Sequence, residues 1–408
     1  MNYQTHILKN GIRIVHSPRN GEIAYCGLII NAGSRNENEN QHGLAHFLEH
    51  ALFKGTKKRR SYHILNRLEN VGGDMNAFTT KEHTCLYSVF LKDHYARSLE
   101  LISDIIFKST FPEKEIEKEK EVIIDEINSY KDSPAELIFD EFEELIFKDQ
   151  AIGRNILGED KKIRKYNRED LIRFKNENYT TDKMVIFSLG NISFNKFKHL
   201  CEKYFADIPA KSSKKQESSK IVYTPQKLFH PKSFYQFHAV LGTTAYNLWD
   251  KRRTSLSLLN NLLGGNSMNS RLSMALRERN GFVYDIESNY TGYSDTGVFN
   301  IYFGTDKEKF DKSLKLIFKE FTKLKNNKLG SLQLSRAKKQ LIGQVAIGMD
   351  NKESVAYNMG RSFLLFNKVD SLNEIIRKIE AITSEQILET ANELLDENKI
   401  SLLVYKSE

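Results

Sequence analysis

Hydrophobic and polar positions along the chain change their period several times, and these changes predict strands interleaved with helices. A period of two, or a short apolar run, indicates strands at residues 5–17, 23–34, 74–91 and 183–193. Asn10-Gly11 divides the first of these runs into a hairpin. Helical spacing covers residues 42–56, 61–73 and 93–147. Gly72-Gly73 ends the second helical run, and Pro112 and Pro134 break the third.

The second half of the chain repeats this order of elements. Its strand-like and helical runs are residues 234–245, 250–265, 282–305 and 399–406, with further long helices between the last two. Residues 117–136 and 335–354 share apolar spacing and an aspartate at the same offset, which we interpret as domain duplication rather than chance similarity of two helices. Residues 208–226 are rich in Ser and Lys and predict a linker. We therefore expect domains at residues 1–207 and 227–408.

The composition is that of a globular protein, since 40% of the 408 residues are hydrophobic and 28% are charged. The formal net charge of +8 does not predict nucleic-acid binding, because the basic residues are spread along the chain among acidic ones. Cys26, Cys85 and Cys201 are too sparse for a disulfide framework and fit a reducing compartment. Because neither a signal peptide nor a membrane-spanning run is visible, we expect a cytoplasmic protein without membrane association.

The segment HGLAHFLEHALFKGT, residues 42–56, places His46, Glu49 and His50 in an otherwise apolar helix. His46 and His50 are four residues apart and share a helix face, so they are candidate zinc ligands. Glu49 lies on the same side and is a candidate general base for the water that attacks a peptide carbonyl. The order H-x-x-E-H is the inverzincin motif. The alternative is a surface helix with two stray histidines, but unpaired His and Glu would be costly in so apolar a segment.

A catalytic zinc site normally has three protein ligands, so the chain must supply one more. Glu119 and Glu126 lie seven residues apart, and therefore on one face, in the helical segment 113–130. Glu126 lies in the apolar part of that segment, VIIDEI, and we assign it as the third ligand. We expect Glu119 to orient a ligand or to hold the metal transiently. The alternative is that this Lys/Glu-rich helix only faces water.

Four segments resemble the pitrilysin, insulysin and mitochondrial processing peptidase family of zinc endopeptidases. They are HGLAHFLEHALFKGT, VGGDMNAFTTKEHTCLY, EKEVIIDEI and SRLSMALRERNGFVYDI, which together extend over essentially the whole chain. The resemblance implies His46, His50 and Glu126 as ligands of one Zn2+ per chain. It also implies Glu49 as the general base and Glu119 as an additional acidic residue beside the site.

The resemblance further implies residues that bind the substrate. Asn76, Ala77 and Phe78 match the strand edge that pairs with the backbone of an extended peptide. Arg277 and Tyr284 match an arginine and a tyrosine that the family supplies from its second domain. They would hydrogen-bond substrate carbonyls and the tetrahedral oxyanion. Without the resemblance, RERNGFVY would be read as an ordinary surface turn after a helix.

The fold implied by the resemblance is α+β, with two homologous domains that are each a mostly antiparallel β-sheet with helices packed on it. A chain of this length would form one half of a closed chamber and would pair with a second copy or with a related chain. Because this chain carries both the zinc motif and the Arg277–Tyr284 pair, a homodimer is favoured over a heterodimer. In the second half, Gln344 falls near the place of Glu126, so we expect that domain to bind no metal.

The leading hypothesis is a zinc endopeptidase that hydrolyses extended or unfolded peptides inside a chamber. A selective processing peptidase, which removes a leader segment from one precursor, is the alternative within the enzyme class. A non-catalytic scaffold subunit is a third hypothesis. It is disfavoured because such a subunit would be expected to have lost some of His46, Glu49, His50 or Glu126, and all four are present.

Overall fold

The computed structural model describes residues 2–213, 222–232 and 234–407. The strands are β1 (Gln4–Ile7), β2 (Arg13–Pro18), β3 (Ile23–Ile30), β4 (Asp74–Thr79), β5 (Thr84–Leu91), β6 (Met184–Gly190), β7 (Lys227–Lys232), β8 (Phe237–Thr244), β9 (Val283–Gly292), β10 (Gly297–Thr305) and β11 (Ser401–Ser407). Most of the strands confirm the predicted runs, whereas β7 was not predicted. The predicted linker lies partly outside the described residues, which omit 214–221.

The helices between residues 44 and 146 and between residues 253 and 394 follow the predicted helical runs, and Pro134 begins one of them, whereas the three helices between residues 160 and 205 were not predicted. They are α1 (Leu44–Leu52), α2 (Ser61–Glu69), α3 (Tyr95–Lys108), α4 (Glu113–Lys131), α5 (Pro134–Ile146), α6 (Asp160–Ile163), α7 (Arg168–Asn178), α8 (Phe194–Phe205), α9 (Arg253–Gly264), α10 (Lys307–Asn326), α11 (Ser331–Gly348), α12 (Lys352–Phe366), α13 (Leu372–Glu380) and α14 (Ser384–Leu394). A π-helical segment, Ser273–Glu278, precedes β9. Within the described ranges, no helix is both long enough and apolar enough to cross a bilayer.

The strands form two mostly antiparallel sheets, which confirms the predicted α+β class. The first sheet has the order β1-β2-β6-β3-β5-β4, and the second has the order β7-β11-β8-β10-β9. Without β1, the two orders correspond strand by strand. The one parallel pair occupies the same place in each sheet, β2 with β6 and β7 with β11. This shared and unusual arrangement supports the interpretation of the chain as a duplication.

The chain divides into two compact units, and each is built from both halves of the sequence. The first unit consists of Met1–Asn128, Arg154–Gln216 and Ile347–Leu372. The second consists of Ser129–Gly153, Glu217–Ala346 and Asn373–Glu408. The predicted contiguous domains 1–207 and 227–408 differ from these units, because α5 belongs with the second sheet and α12 with the first.

This exchange of helices follows from the apolar character of both faces of each sheet. In the first unit, Leu28 and Ile186 belong to the core around α1 and α3, whereas their neighbours Ile29 and Phe187 belong to the core around α12. A sheet that is apolar on both faces needs a layer of helix on each. Gly360 of α12 permits the close approach, because a Cβ atom at this position would lie 2.5 Å from the Phe187 ring.

The second unit is built in the same way. Helix α14 packs against both α9 and α10, and α9 also packs against β9, around a core on one side of the second sheet. Helix α5 covers β8 and β11 on the other side, where Ile138 and Phe142 join a cluster with Val240 and Leu403. Successive side chains of β8 therefore point alternately into two separate hydrophobic cores.

Candidate active site

Helix α1 is anchored at its first turn by a carboxylate from upstream in the chain. Its N-cap residue, Gly43, has a φ of 89° and no side chain to cap the helix. Glu37 replaces that cap, because its two oxygens accept the N–H groups of Gly43 at 3.0 Å and Ala45 at 2.7 Å. Both N–H groups are otherwise orphans of the helix start. The apolar side chains of α1 lie in the core, and this orientation leaves His46, Glu49 and His50 together on one side.

The structure brings His46, His50 and Glu126 together, as predicted for the metal ligands. One potential ligand atom from each lies within 4.8 Å of the others. Glu126 oxygens lie 3.9 Å from His46 Nε2 and 3.6 Å from His50 Nε2. Two atoms that bind one zinc tetrahedrally at about 2.0–2.1 Å lie about 3.3 Å apart, so the cluster is close to the size that one zinc ion requires.

Two further features fit a metal at this cluster. Nε2 of His46, the ring nitrogen that faces Glu126, has only that carboxylate near it among the described residues, at 3.9 Å and beyond hydrogen-bond distance. A buried imidazole that lacks partners is costly unless a ligand supplies one. The side chain of Glu126 is 45% exposed, so the cluster is open to solvent on one side. A catalytic zinc site needs such an open position.

Glu119, which was predicted to orient a ligand or to hold the metal transiently, contacts His50. Its Oε1 lies 2.9 Å from Nδ1 of His50, and its Oε2 accepts a hydrogen bond from Lys54 Nζ at 2.6 Å. The bond to Nδ1 leaves Nε2 of His50 facing Glu126. A carboxylate that binds the second nitrogen of a histidine fixes the tautomer and the orientation of the ring.

Burial and charge shift the protonation of these groups in opposite directions. Burial, reinforced by the neighbouring His50, lowers the pKa of His46 to about 3, so its imidazole is neutral. Burial also acts to lower the pKa of His50, but the hydrogen bond and charge of Glu119 and the charges of Glu49 and Glu126 outweigh it and raise that pKa. The pKa of Glu119 is lowered, because the hydrogen bonds from His50 and Lys54 outweigh burial. A neutral His46 is the form that binds a metal.

Glu49, the predicted general base, lies beside the cluster and is tied to strand β4. Only 8% of its surface is exposed, and burial raises its pKa, with the hydrogen bond from Thr79 acting in the opposite direction. The Thr79 hydroxyl donates to Glu49 Oε2 at 2.8 Å. A raised carboxyl pKa brings the group nearer to the range in which it can accept and return a proton.

The predicted substrate-binding residues lie on β4, which is the edge strand of the first sheet. Among the described strands, β4 pairs only with β5, so its outer edge is open. The N–H of Ala77 hydrogen-bonds to Oδ1 of its own neighbour Asn76 at 2.8 Å rather than to a strand. Phe78 points to the opposite face from Ala77, where it packs against Tyr357 of α12 with ring centroids 5.1 Å apart. The geometry leaves a backbone donor available at the edge.

Arg277 and Tyr284 lie in the second unit. Arg277 belongs to the π-helical segment, where its Nε donates to Glu278 at 3.0 Å. Tyr284 lies at the start of β9 and is 58% exposed, and its hydroxyl donates to Asp306 Oδ1 at 2.9 Å. Their predicted contact with substrate remains a prediction.

Gln344, which was predicted to fall near the place of Glu126, lies among amides and hydroxyls in the second unit. Gln344 and Gln340 of α11 each donate from Nε2 to Ser267 Oγ at 2.8 Å. Among the residues that the structure describes, the metal-binding geometry occurs at His46, His50 and Glu126 and at no second place. One zinc per chain remains a prediction.

Comparisons with known proteins identify the family. A profile described as "Insulinase (Peptidase family M16)" matches residues 13–160, and one described as "Peptidase M16 inactive domain" matches residues 165–341. The chain is 33% identical to an uncharacterised zinc protease of Bacillus subtilis over 98% of this chain and 97% of that protein. The chain belongs to peptidase family M16. The predicted family is therefore confirmed.

A further relative and two solved structures match nearly the whole length of this chain. The chain is 29% identical to the mitochondrial-processing peptidase subunit beta of Saccharomyces cerevisiae, over 98% of this chain and 90% of that protein. The fold matches a protease from Helicobacter pylori with a TM-score of 0.90 and 21% identity, and the match covers 99% of both chains. A structure named as the peptidase M16 inactive domain from Pseudomonas fluorescens matches with a TM-score of 0.91 and 20% identity.

Three residues around the M16 motif were missed by the sequence analysis. Lys54 is four residues after His50, so helical spacing alone could have placed it on the same face. Thr79 is two residues after Ala77, and the period of a strand could have placed both on the side of α1. Glu37 carried no such signal, because it caps α1 from outside the helix.

Proposed function

We propose that this chain is a zinc-dependent endopeptidase that hydrolyses peptide bonds in extended or unfolded peptides. The observation that carries the proposal is the convergence of His46, His50 and Glu126 within 4.8 Å beside a buried Glu49. Neutral imidazole nitrogens and a carboxylate are the donor set of catalytic zinc sites that hydrolyse amides.

His46, His50 and Glu126 would hold the metal, with Glu119 fixing the ring of His50. Zinc, when bound, lowers the pKa of water and polarises a carbonyl group. Glu49 accepts a proton from the attacking water and returns it to the nitrogen of the leaving amine. Its burial favours this exchange, because a carboxyl group with a raised pKa is a better proton acceptor than an ordinary solvent-exposed one.

The open edge of β4 supports an extended substrate. A peptide strand that pairs along this edge would place its backbone carbonyl opposite the N–H of Ala77, in place of the side chain of Asn76. Main-chain pairing of this kind depends little on the substrate sequence. We further propose that Phe78 packs beside the bound strand, and that Arg277 and Tyr284 hydrogen-bond substrate carbonyls and the oxyanion.

The proposal is tested by cleavage of a mixed set of peptides of about 10–40 residues, read by mass spectrometry. The variants are wild type, Glu49→Gln and a matched control, Glu39→Gln, which changes an exposed glutamate. We expect wild type and Glu39→Gln to cut, a chelator to stop the cutting, and zinc to restore it. We expect Glu49→Gln to retain zinc without cutting. Equal cleavage by Glu49→Gln would remove Glu49 as the base, and cleavage that survives metal removal would refute the proposal.

Assembly and selectivity form the second part of the proposal. We propose a homodimer that encloses a chamber, because one chain carries both the metal cluster and the Arg277–Tyr284 pair. A heterodimer with a related chain is the alternative, suggested by the name of a relative that is one subunit of a processing peptidase. The same relative motivates the alternative of a selective processing peptidase. The product list from the peptide set separates a broad peptidase from a selective one, and the mass of the native particle separates dimer from monomer.

A further inference from the structure

The hydroxyl of Thr79 joins the strand edge to the base. Thr79 is the last residue of β4, and its hydroxyl donates to Glu49 Oε2 at 2.8 Å. We propose that Thr79 is a positioning residue that holds the carboxylate of Glu49 in register with the substrate-binding edge. This inference rests on the proposed function, because it requires Glu49 to be the base.

The two carboxylate oxygens of Glu49 have different roles, because only one of them is hydrogen-bonded to Thr79. Oε2 is held by Thr79, whereas Oε1 has no hydrogen bond among the described residues. Oε1 is therefore the oxygen that can accept the proton of the water. Once it carries the proton, the bond at Oε2 resists rotation of the carboxyl group, so the proton stays directed at the leaving nitrogen.

The position of Thr79 in the strand links the base to the substrate. Ala77, whose N–H faces the open edge, is two residues away, which is about 7 Å along a strand. The same strand would therefore hold the peptide backbone through Ala77 and the base through Thr79. Thr79 is itself held in register by the backbone pairing of β4 with β5, which extends along the whole of β4. Misplacement of reacting groups by about 1 Å can cost 100-fold in rate, so this short connection bears directly on turnover.

A merely structural role for the hydroxyl makes different predictions. In that case Thr79 would only satisfy a buried carboxylate, and its loss would loosen the site as a whole. Zinc content and peptide affinity would then fall together with the rate. A positioning role predicts that kcat falls while KM, zinc content and peptide affinity remain at their wild-type values.

The experiment compares Thr79→Val, which keeps the shape without the donor, with Thr79→Ser, which keeps the donor. Thr84→Val is the matched control, because its buried hydroxyl donates to the Ala32 carbonyl and not to Glu49. We expect Thr79→Val to lower kcat by about 10- to 100-fold with KM within about threefold of wild type. We expect Thr79→Ser and Thr84→Val to keep kcat within about threefold.

A second readout does not depend on turnover. Glu49→Gln and the double variant Glu49→Gln/Thr79→Val should bind a fluorescent uncleaved peptide with equal affinity and hold equal zinc. The inference is overturned if Thr79→Val keeps the wild-type kcat, if Thr79→Ser falls as far as Thr79→Val, or if zinc or affinity falls in parallel with kcat. If only this inference fails, peptide cleavage still depends on Glu49. If cleavage does not depend on Glu49, the proposed function and this inference both fail.

Discussion

The anchoring of the metal-site helix by Glu37 makes a prediction whose size follows from the structure. Glu37 is buried, with 3% of its surface exposed, and its oxygens accept the N–H groups of Gly43 and Ala45. Glu37→Ala removes both acceptors without touching the proposed ligands. We expect the variant to loosen the start of α1 and to weaken zinc binding, because His46 lies in the first turn of that helix.

The expected loss of stability depends on the two N–H groups that Glu37→Ala leaves without acceptors. A buried donor left without a partner costs about 1–3 kcal/mol, so two donors would cost about 2–6 kcal/mol. Water that enters the space of the lost carboxylate recovers part of this, and we expect about 2–4 kcal/mol. Backbone amides of α1 would then exchange with solvent about 30- to 700-fold faster, if the helix opens as a local unit.

Hydrogen exchange of the full chain, followed by mass spectrometry of peptides that contain α1, measures this loss locally. Glu37→Gln is an informative second variant, because its amide retains one acceptor and should give an intermediate effect. Glu39→Ala is the control, since it makes the same kind of change at an exposed residue two positions away. Exchange of α1 in Glu37→Ala at the rate seen in Glu39→Ala would refute the capping role of Glu37.

Three further predictions concern the metal, the oxyanion and pH. Glu119→Gln should weaken zinc binding by about 10- to 100-fold in competition with a chelator, because the acceptor for Nδ1 of His50 is altered, and wild-type affinity would contradict this. Tyr284→Phe should lower kcat by about 10- to 1000-fold, whereas an unchanged kcat would make it a surface residue. Burial lowers the pKa of His83 to about 3, below its ordinary value of 6.5 in the unfolded chain. The neutral, buried His83 therefore stabilises the fold fully above pH 6.5, and this contribution is lost as the pH falls from 6.5 through 3, because the unfolded chain binds the proton first. Urea unfolding of wild type and His83→Phe should therefore converge by at most about 5 kcal/mol on acidification, and a constant difference between the two would contradict the shift.

Local patterns in the sequence were sufficient for most elements and for the centre of the site. The spacing of His46, Glu49 and His50 decides their common face as soon as the segment is helical, because the helical repeat is a property of the local backbone. Glu119 and Glu126 follow from the same rule within α4. The apolar runs at β3, β6 and β8 likewise predict buried strands before any partner strand is known.

The position of β4 at the edge of its sheet was not accessible in this way. Alternation along residues 74–79 predicts a strand but does not indicate its neighbours, because pairing joins strands that are far apart in sequence. In the structure β4 pairs only with β5 among the described strands, so its outer edge stays open. The resemblance to the family, and not the pattern, indicated Asn76 to Phe78 as a binding edge.

The sequence by itself determined most of the elements, the class of the fold and the shared helix face of His46, Glu49 and His50, since each depends on spacing within one segment or on a family motif. Only the tertiary structure decided which elements share a core and which side chains meet across them. Helix α5, from the first half of the sequence, covers the second sheet, and α12, from the second half, covers the first sheet. Each sheet is apolar on both faces and needs a helix on each, but the local sequence does not indicate which helix will pack there. Thr79 reaches Glu49, and Glu37 caps α1, for the same reason: a hydrogen bond between distant segments needs their packing before it has a geometry.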